Sequence, residues 1–142
     1  MSRPRDIGTR AETAAKRWLV DDGWADCERR ALAGNRDTGD LTVCRSPLII
    51  AEVKGGAAAD KASPAVIATW LEQTDTEWAH AGADLGVLIV ARKHRNPRDW
   101  DAHMIAADWY WLLGGRDVIA APWPMRTSLA HWSTIAKAWV GV

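Results

Sequence analysis

Apolar positions recur at helical spacing over residues 9–22, where Ala11, Ala14, Ala15, Trp18 and Leu19 share one face and Gly23 stands as the stop. Thr9 and Glu12 fit a capping box, so this spacing predicts a helix that starts at Thr9. Residues 24–30 are short and mixed and read as a strand, whereas 31–39, with Gly34, Asn35, Asp37 and Gly39, read as a loop. Two strand-like runs, 41–45 and 48–54, flank Ser46-Pro47 and read as a hairpin. A small, polar loop follows over 55–62. Ser63 and Pro64 then supply an N-cap and a first-turn proline for a helix whose stripe is Ile67, Trp70, Leu71, Thr74, Trp78 and Ala81. The run LGVLIVA at 85–91 is continuously apolar, as in a strand covered on both faces. Beyond a basic loop at 92–98, the pattern predicts a strand over 100–105, a short helix over 107–113, a Pro-rich irregular stretch and an amphipathic helix over 127–139.

A strand, a helix and a second apolar strand in succession imply a crossover, hence an α/β fold with a mixed sheet flanked by helices. The length of 142 residues suits one domain. We read a core of about 8–105 and a Trp-rich helical appendage over about 106–142. Eighteen basic and eighteen acidic residues balance to zero formal charge, which excludes a whole-surface polycation but not a segregated basic patch. No apolar run is long enough for a membrane helix, and the start MSRPRDIGTR lacks a signal-peptide core. Cys27 and Cys44 form no CxxC. The expectation is a soluble, cytoplasmic protein with no membrane partner.

The segment GDLTVCRSPLIIAEVK, 39–54, carries the chemistry. In a strand, Glu52 and Lys54 project to one face, and a buried run that ends in two charges needs partners or a metal. Asp40 opens the preceding strand. A plain two-residue turn at Ser46-Pro47 would pair Arg45 with Leu48 and put Asp40 opposite Val53, on the wrong face. Joining the two acids therefore requires an odd turn, a bend at Gly39-Asp40 or a β-bulge. Two carboxylates with one lysine make a hard-oxygen site suited to Mg²⁺, with Mn²⁺ as a substitute. Other roles stand beside this one: Glu12 also pairs with Lys16 along the helix, Asp40 suits an Asx turn, Glu52 and Lys54 suit a solvated strand end, and Asp37 competes with Asp40.

In Asp40 of GDL, Glu52-Val53-Lys54 as an ExK element, Glu12 in the preceding helix and Gln73 in the following one, the chain resembles the PD-(D/E)XK nuclease superfamily. The runs DTGDL, IIAEVKGG and EQTDTEWAHAGADLGVLIVARK make it most similar to the archaeal and phage Holliday-junction resolvase-like branch, over residues 8–105. Gly39 stands where that family commonly has proline. The resemblance implies a restriction-endonuclease-like αβββαβ core and a metal-dependent endonuclease that cuts branched DNA. It also implies a location in the host cytoplasm if the protein is phage-encoded. Asp40, Glu52 and the Val53 carbonyl would be metal ligands, Lys54 the catalytic lysine, and Glu12 and Gln73 supporting catalytic residues. A nuclease for linear, flapped or single-stranded DNA and a silent DNA-binding or interaction module remain the alternatives.

Candidate phosphate contacts are Arg10, Arg29, Arg30 and Arg36 ahead of the site, and Arg92, Lys93 and Arg95 in the basic loop. His80, His94, His103 and His131 show no ligand spacing and read as surface or core residues. Ten Trp with one Tyr and no Phe is unusual. Trp18, Trp70 and Trp78 read as core, and Trp109, Trp111, Trp132 and Trp139 as a surface for a second subunit, which fits the homodimer that the resemblance implies.

Overall fold

The structure, a computed structural model, describes residues 4–30 and 40–142, with side chains described at 10–30 and 41–142. The loop over 31–39, with Arg36 and Asp37, lies outside the described residues, as does the side chain of Asp40.

Six strands form one mixed sheet in sequential order: β1 (Glu28–Arg29), β2 (Asp40–Arg45), β3 (Leu48–Lys54), β4 (Leu85–Val90), β5 (Asp101–Ile105) and β6 (Pro124–Ser128). Among the described residues, only β3 and β4 pair in parallel, and the segment joining them holds helices α2 (Gly56–Asp60) and α3 (Pro64–Ala81). Every other neighbouring pair is antiparallel. Helix α1 (Pro4–Asp21) precedes the sheet, α4 (Ala106–Leu112) follows β5, and α5 (Leu129–Val140) ends the chain.

The period of two sorts the strand residues onto two faces. Leu41, Val43, Ile49, Ala51, Val53, Val87, Ile89, Ala102 and Met104 join one cluster with Ala11, Ala15 and Leu19 of α1 and with residues of α4 and α5. Ile50, Leu88 and Val90 face the other way and pack under Ile67, Leu71 and Trp78 of α3. All six residues of β4 are buried, as its apolar run predicts. Helix α3 is capped at both ends: Ser63 Oγ accepts from Val66 N at 3.2 Å, and Gly82 closes the helix in the left-handed conformation at φ 73°.

Four expectations are corrected. Helix α1 starts at Pro4, where a first-turn proline is favourable, so Thr9 lies inside the helix and not at its N-cap. The loop expected over 55–62 contains α2, whose Ala59 is fully buried. The Pro-rich stretch holds strand β6, which lies at the sheet edge and begins at Pro124, a position where the missing N–H costs no ladder bond. The Trp-rich segment is not all surface. Trp132 is fully buried and stacks on Trp24 with ring centroids 6.0 Å apart, Trp109 is buried, and Trp24 Nε1 donates to Ser133 Oγ of α5 at 2.8 Å. Trp111, in contrast, is about half exposed.

Gly86 shows how tightly α3 sits on the sheet. A Cβ there would lie 2.1 Å from ring atoms of Trp78. Gly86→Ala must displace the indole, and urea unfolding is expected to give a loss of about 1–3 kcal/mol with a changed Trp emission. An unchanged midpoint would contradict the described packing.

Candidate active site

Glu52 lies near the end of β3 on the α3 side of the sheet and is only 3% exposed. A carboxylate in that position is costly to ionise without a compensating charge. Lys54, two residues on and on the same face, supplies one: its Nζ is 3.4 Å from Glu52 Oε1. The same ammonium lies 5.3 Å from the ring centroid of Trp70 on α3, within cation–π range. The lysine is therefore held between an acid and an aromatic face while a third of its side chain remains open. Trp70 also lines a shallow pocket of about 230 Å³ with Ala65, Val66, Thr69 and Gln73, so the exposed Gln73 stands on the same side of α3 as the lysine's aromatic support.

The hairpin register decides what faces Glu52. Arg45 pairs with Leu48 and Cys44 with Ile49, around a turn with a cis Ser46-Pro47 peptide. The register then shifts between Thr42 and Cys44, and the pairs resume as Thr42 with Ile50, Leu41 with Ala51 and Asp40 with Glu52. The extra residue, Val43, makes a β-bulge, one of the three irregularities that the sequence reading allowed. Val43 and Cys44 both turn toward the large core, and position 40 moves from opposite Val53 to directly across from Glu52. Cross-strand partners share a face. Position 40 and Glu52 are thus cross-strand partners in the backbone register. Among the described side chains, which do not include that of Asp40, no three or more His, Cys, Asp or Glu groups are placed to hold a metal ion.

The remaining candidates are dispersed. Glu12 is 2% exposed on α1, the helix covering the opposite face, with Arg29 Nη2 at 3.5 Å from its Oε2. Arg10 and Arg29 are exposed and Arg30 is partly so. Arg92 is half-buried and structural: its Nε lies 2.6 Å from Asp101 Oδ2, and its Nη1 donates to the Ala59 carbonyl at 3.1 Å. Lys93 and Arg95 are exposed in the same loop.

Sequence reasoning missed a second polar group on this face. Glu52 pairs with Leu88, Leu88 with His103, and His103 with Arg126, a single row across four strands. His103 and Asp101 are buried on β5, and Asp101 Oδ2 also lies 3.2 Å from Arg126 Nη1. The alternation of Asp101 and His103 with Ala102 and Met104 was the available signal. Arg92 and Arg126, far apart in the chain, could not be joined to it without the sheet.

No known protein family, curated protein or solved structure matches this chain. Among the described residues, no helix is long and apolar enough to cross a membrane.

Burial pushes the His103 imidazole down to about 4 from 6.5; Asp101 opposes this shift, and Arg92 and Arg126 add to it. Between those two pH values the unfolded chain binds a proton that the folded chain refuses, so stability falls as pH drops through the window and levels off below it. Urea unfolding across this range should show a steeper acid loss for the parent than for His103→Gln. Identical slopes would contradict a neutral buried imidazole.

Proposed function

We propose that the protein is a metal-dependent endodeoxyribonuclease with a restriction-endonuclease-like core, acting on branched DNA such as a four-way junction. The observation that carries the reading is the bulge at Val43, which brings position 40 across from Glu52 with Lys54 one pleat further along. A bulge next to a candidate catalytic residue commonly serves to re-aim it. The element order α1, β1, β2, β3, α3, β4, with the one-turn helix α2 inserted before α3, supports the reading as well, since the resemblance implies an αβββαβ order.

In this account Asp40, Glu52 and the Val53 carbonyl would hold Mg²⁺ or Mn²⁺. The chemistry such an ion supplies is polarisation of a phosphoryl oxygen and activation of water. Lys54 Nζ, fixed by Glu52 and Trp70, presents a positive charge where the phosphorane-like transition state gains negative charge. Gln73 lies beside Trp70 and is open to a strand or a water. Glu12 orders Arg29 from the other face. Lys93 and Arg95, with Arg10 and Arg29, offer charge for backbone phosphates, so affinity should fall as salt rises.

A labelled four-way junction, with linear duplex, flap and single strand alongside, tests the reading. In Mg²⁺ the parent is expected to nick the junction symmetrically, while Glu52→Gln and Lys54→Met lose at least about a hundredfold in rate, the scale of a removed electrostatic contact in catalysis. Cleavage of linear or flapped DNA alone would move the protein to another nuclease branch. Cleavage by Glu52→Gln at the parental rate would refute the assignment.

A further inference from the structure

On the far side of α3 from Lys54, a pocket of about 440 Å³ lies between β6 and the first turn of α3. Its wall holds Arg92, His103 and Arg126, with Ala62, Pro64, Ile67, Pro124 and Met125 making the apolar remainder. His103 is only 5% exposed, and its Nε2 has no hydrogen-bond partner among the described residues. An unsatisfied buried ring nitrogen is costly, and a ligand entering the pocket that His103 lines can remove the cost by pairing with it.

We propose that this pocket binds an oxyanion of the phosphate class, held by Arg92 and Arg126 with His103 at its base. The charge balance favours an anion. Two guanidinium groups share one carboxylate oxygen, Asp101 Oδ2, which leaves a positive excess at the wall. Arginine and lysine side chains carry donors only, so a cation or a donor-rich ligand finds no acceptor in them. The shared carboxylate also fixes both forks beside each other, and each keeps further N–H groups beyond those that Asp101 and the Ala59 carbonyl engage. A tetrahedral oxyanion can accept from two guanidiniums and an imidazole N–H approaching from different sides, and phosphate is an anion whose geometry arginine forks match. The positive end of the α3 dipole lies at the same wall. The apolar remainder accommodates whatever carries the phosphate.

The proposal stands apart from the nuclease reading. His103 and Glu52 are two strand spacings apart in one row, about 10 Å, with Leu88 and α3 between them. The ligand's source is either a small phosphate compound or a phosphate of a nucleic-acid strand.

The test follows the His103 ring signals by NMR in the full chain, with inorganic phosphate as the probe. A short single-stranded oligonucleotide without terminal phosphates serves as competitor. Phosphate is expected to move the signals saturably and to raise the pH midpoint of His103, because the bound anion favours the charged ring beside Asp101, Arg92 and Arg126. Arg126→Gln, at a side chain 63% exposed and so tolerant of change, is expected to weaken binding by about tenfold or more with the fold intact by circular dichroism. Displacement of phosphate by the oligonucleotide supports the site and assigns it to a strand; failure of displacement, with phosphate still bound, supports it and assigns it to small phosphates. The absence of any saturable change at His103, or equal binding by Arg126→Gln, would overturn the proposal.

Discussion

One inserted residue in β2 governs the chemistry of the sheet. Without the bulge at Val43, a hairpin closed by Arg45 and Leu48 would keep strict alternation, and position 40 would share the α1 face with Val53. With it, Leu41, Val43 and Cys44 all serve the large core, and Thr42 and position 40 turn to the α3 face beside Ile50 and Glu52. The disrupted ladder is a local cost, offset by burial of Leu41 and Val43 on the side where α1 packs. An acid that would otherwise lie against the core thereby comes to oppose Glu52. The proposed function depends on this one register shift.

The helix α3 then divides the α3 face of the sheet into two polar ends. Its stripe of Ile67, Leu71 and Trp78 covers Ile50, Leu88 and Val90 at the centre. Glu52 and Lys54 emerge on one flank, and His103 and Arg126 on the other. Charges sit at these flanks because β3 and β4 leave no polar room between them, and each buried charge has a partner of opposite sign: Lys54 for Glu52, Arg92 and Arg126 for Asp101. A chain of zero formal charge can thus present positive excess at one place and acidic positions at another.

Much of this was legible in the residues. The Ser63-Pro64 start and Gly82 stop of α3 are local signals, and the apolar run of β4 reads as a strand covered on both faces, which it is. Counting residues between Ser46-Pro47 and Asp40 showed that an odd turn, a bend at Gly39-Asp40 or a bulge was needed to bring positions 40 and 52 together, and the bulge is the one found. What was hidden depends on tertiary context. Proline reads as irregular, yet an edge strand tolerates Pro124; a tryptophan reads the same whether it meets Trp24 inside the chain, as Trp132 does, or stands half exposed, as Trp111 does. The His103 pocket draws its residues from α3, β5, β6 and the loop before β5, and no spacing in the sequence joins them.

In the proposed function the register shift assembles a divalent-cation site from Asp40 and Glu52. Calorimetric titration with Mn²⁺ in the absence of DNA measures this without reliance on substrate choice. Saturable binding is expected of the parent, with its loss in both Asp40→Asn and Glu52→Gln, each still folded. Equal Mn²⁺ binding by the parent and both variants would contradict it.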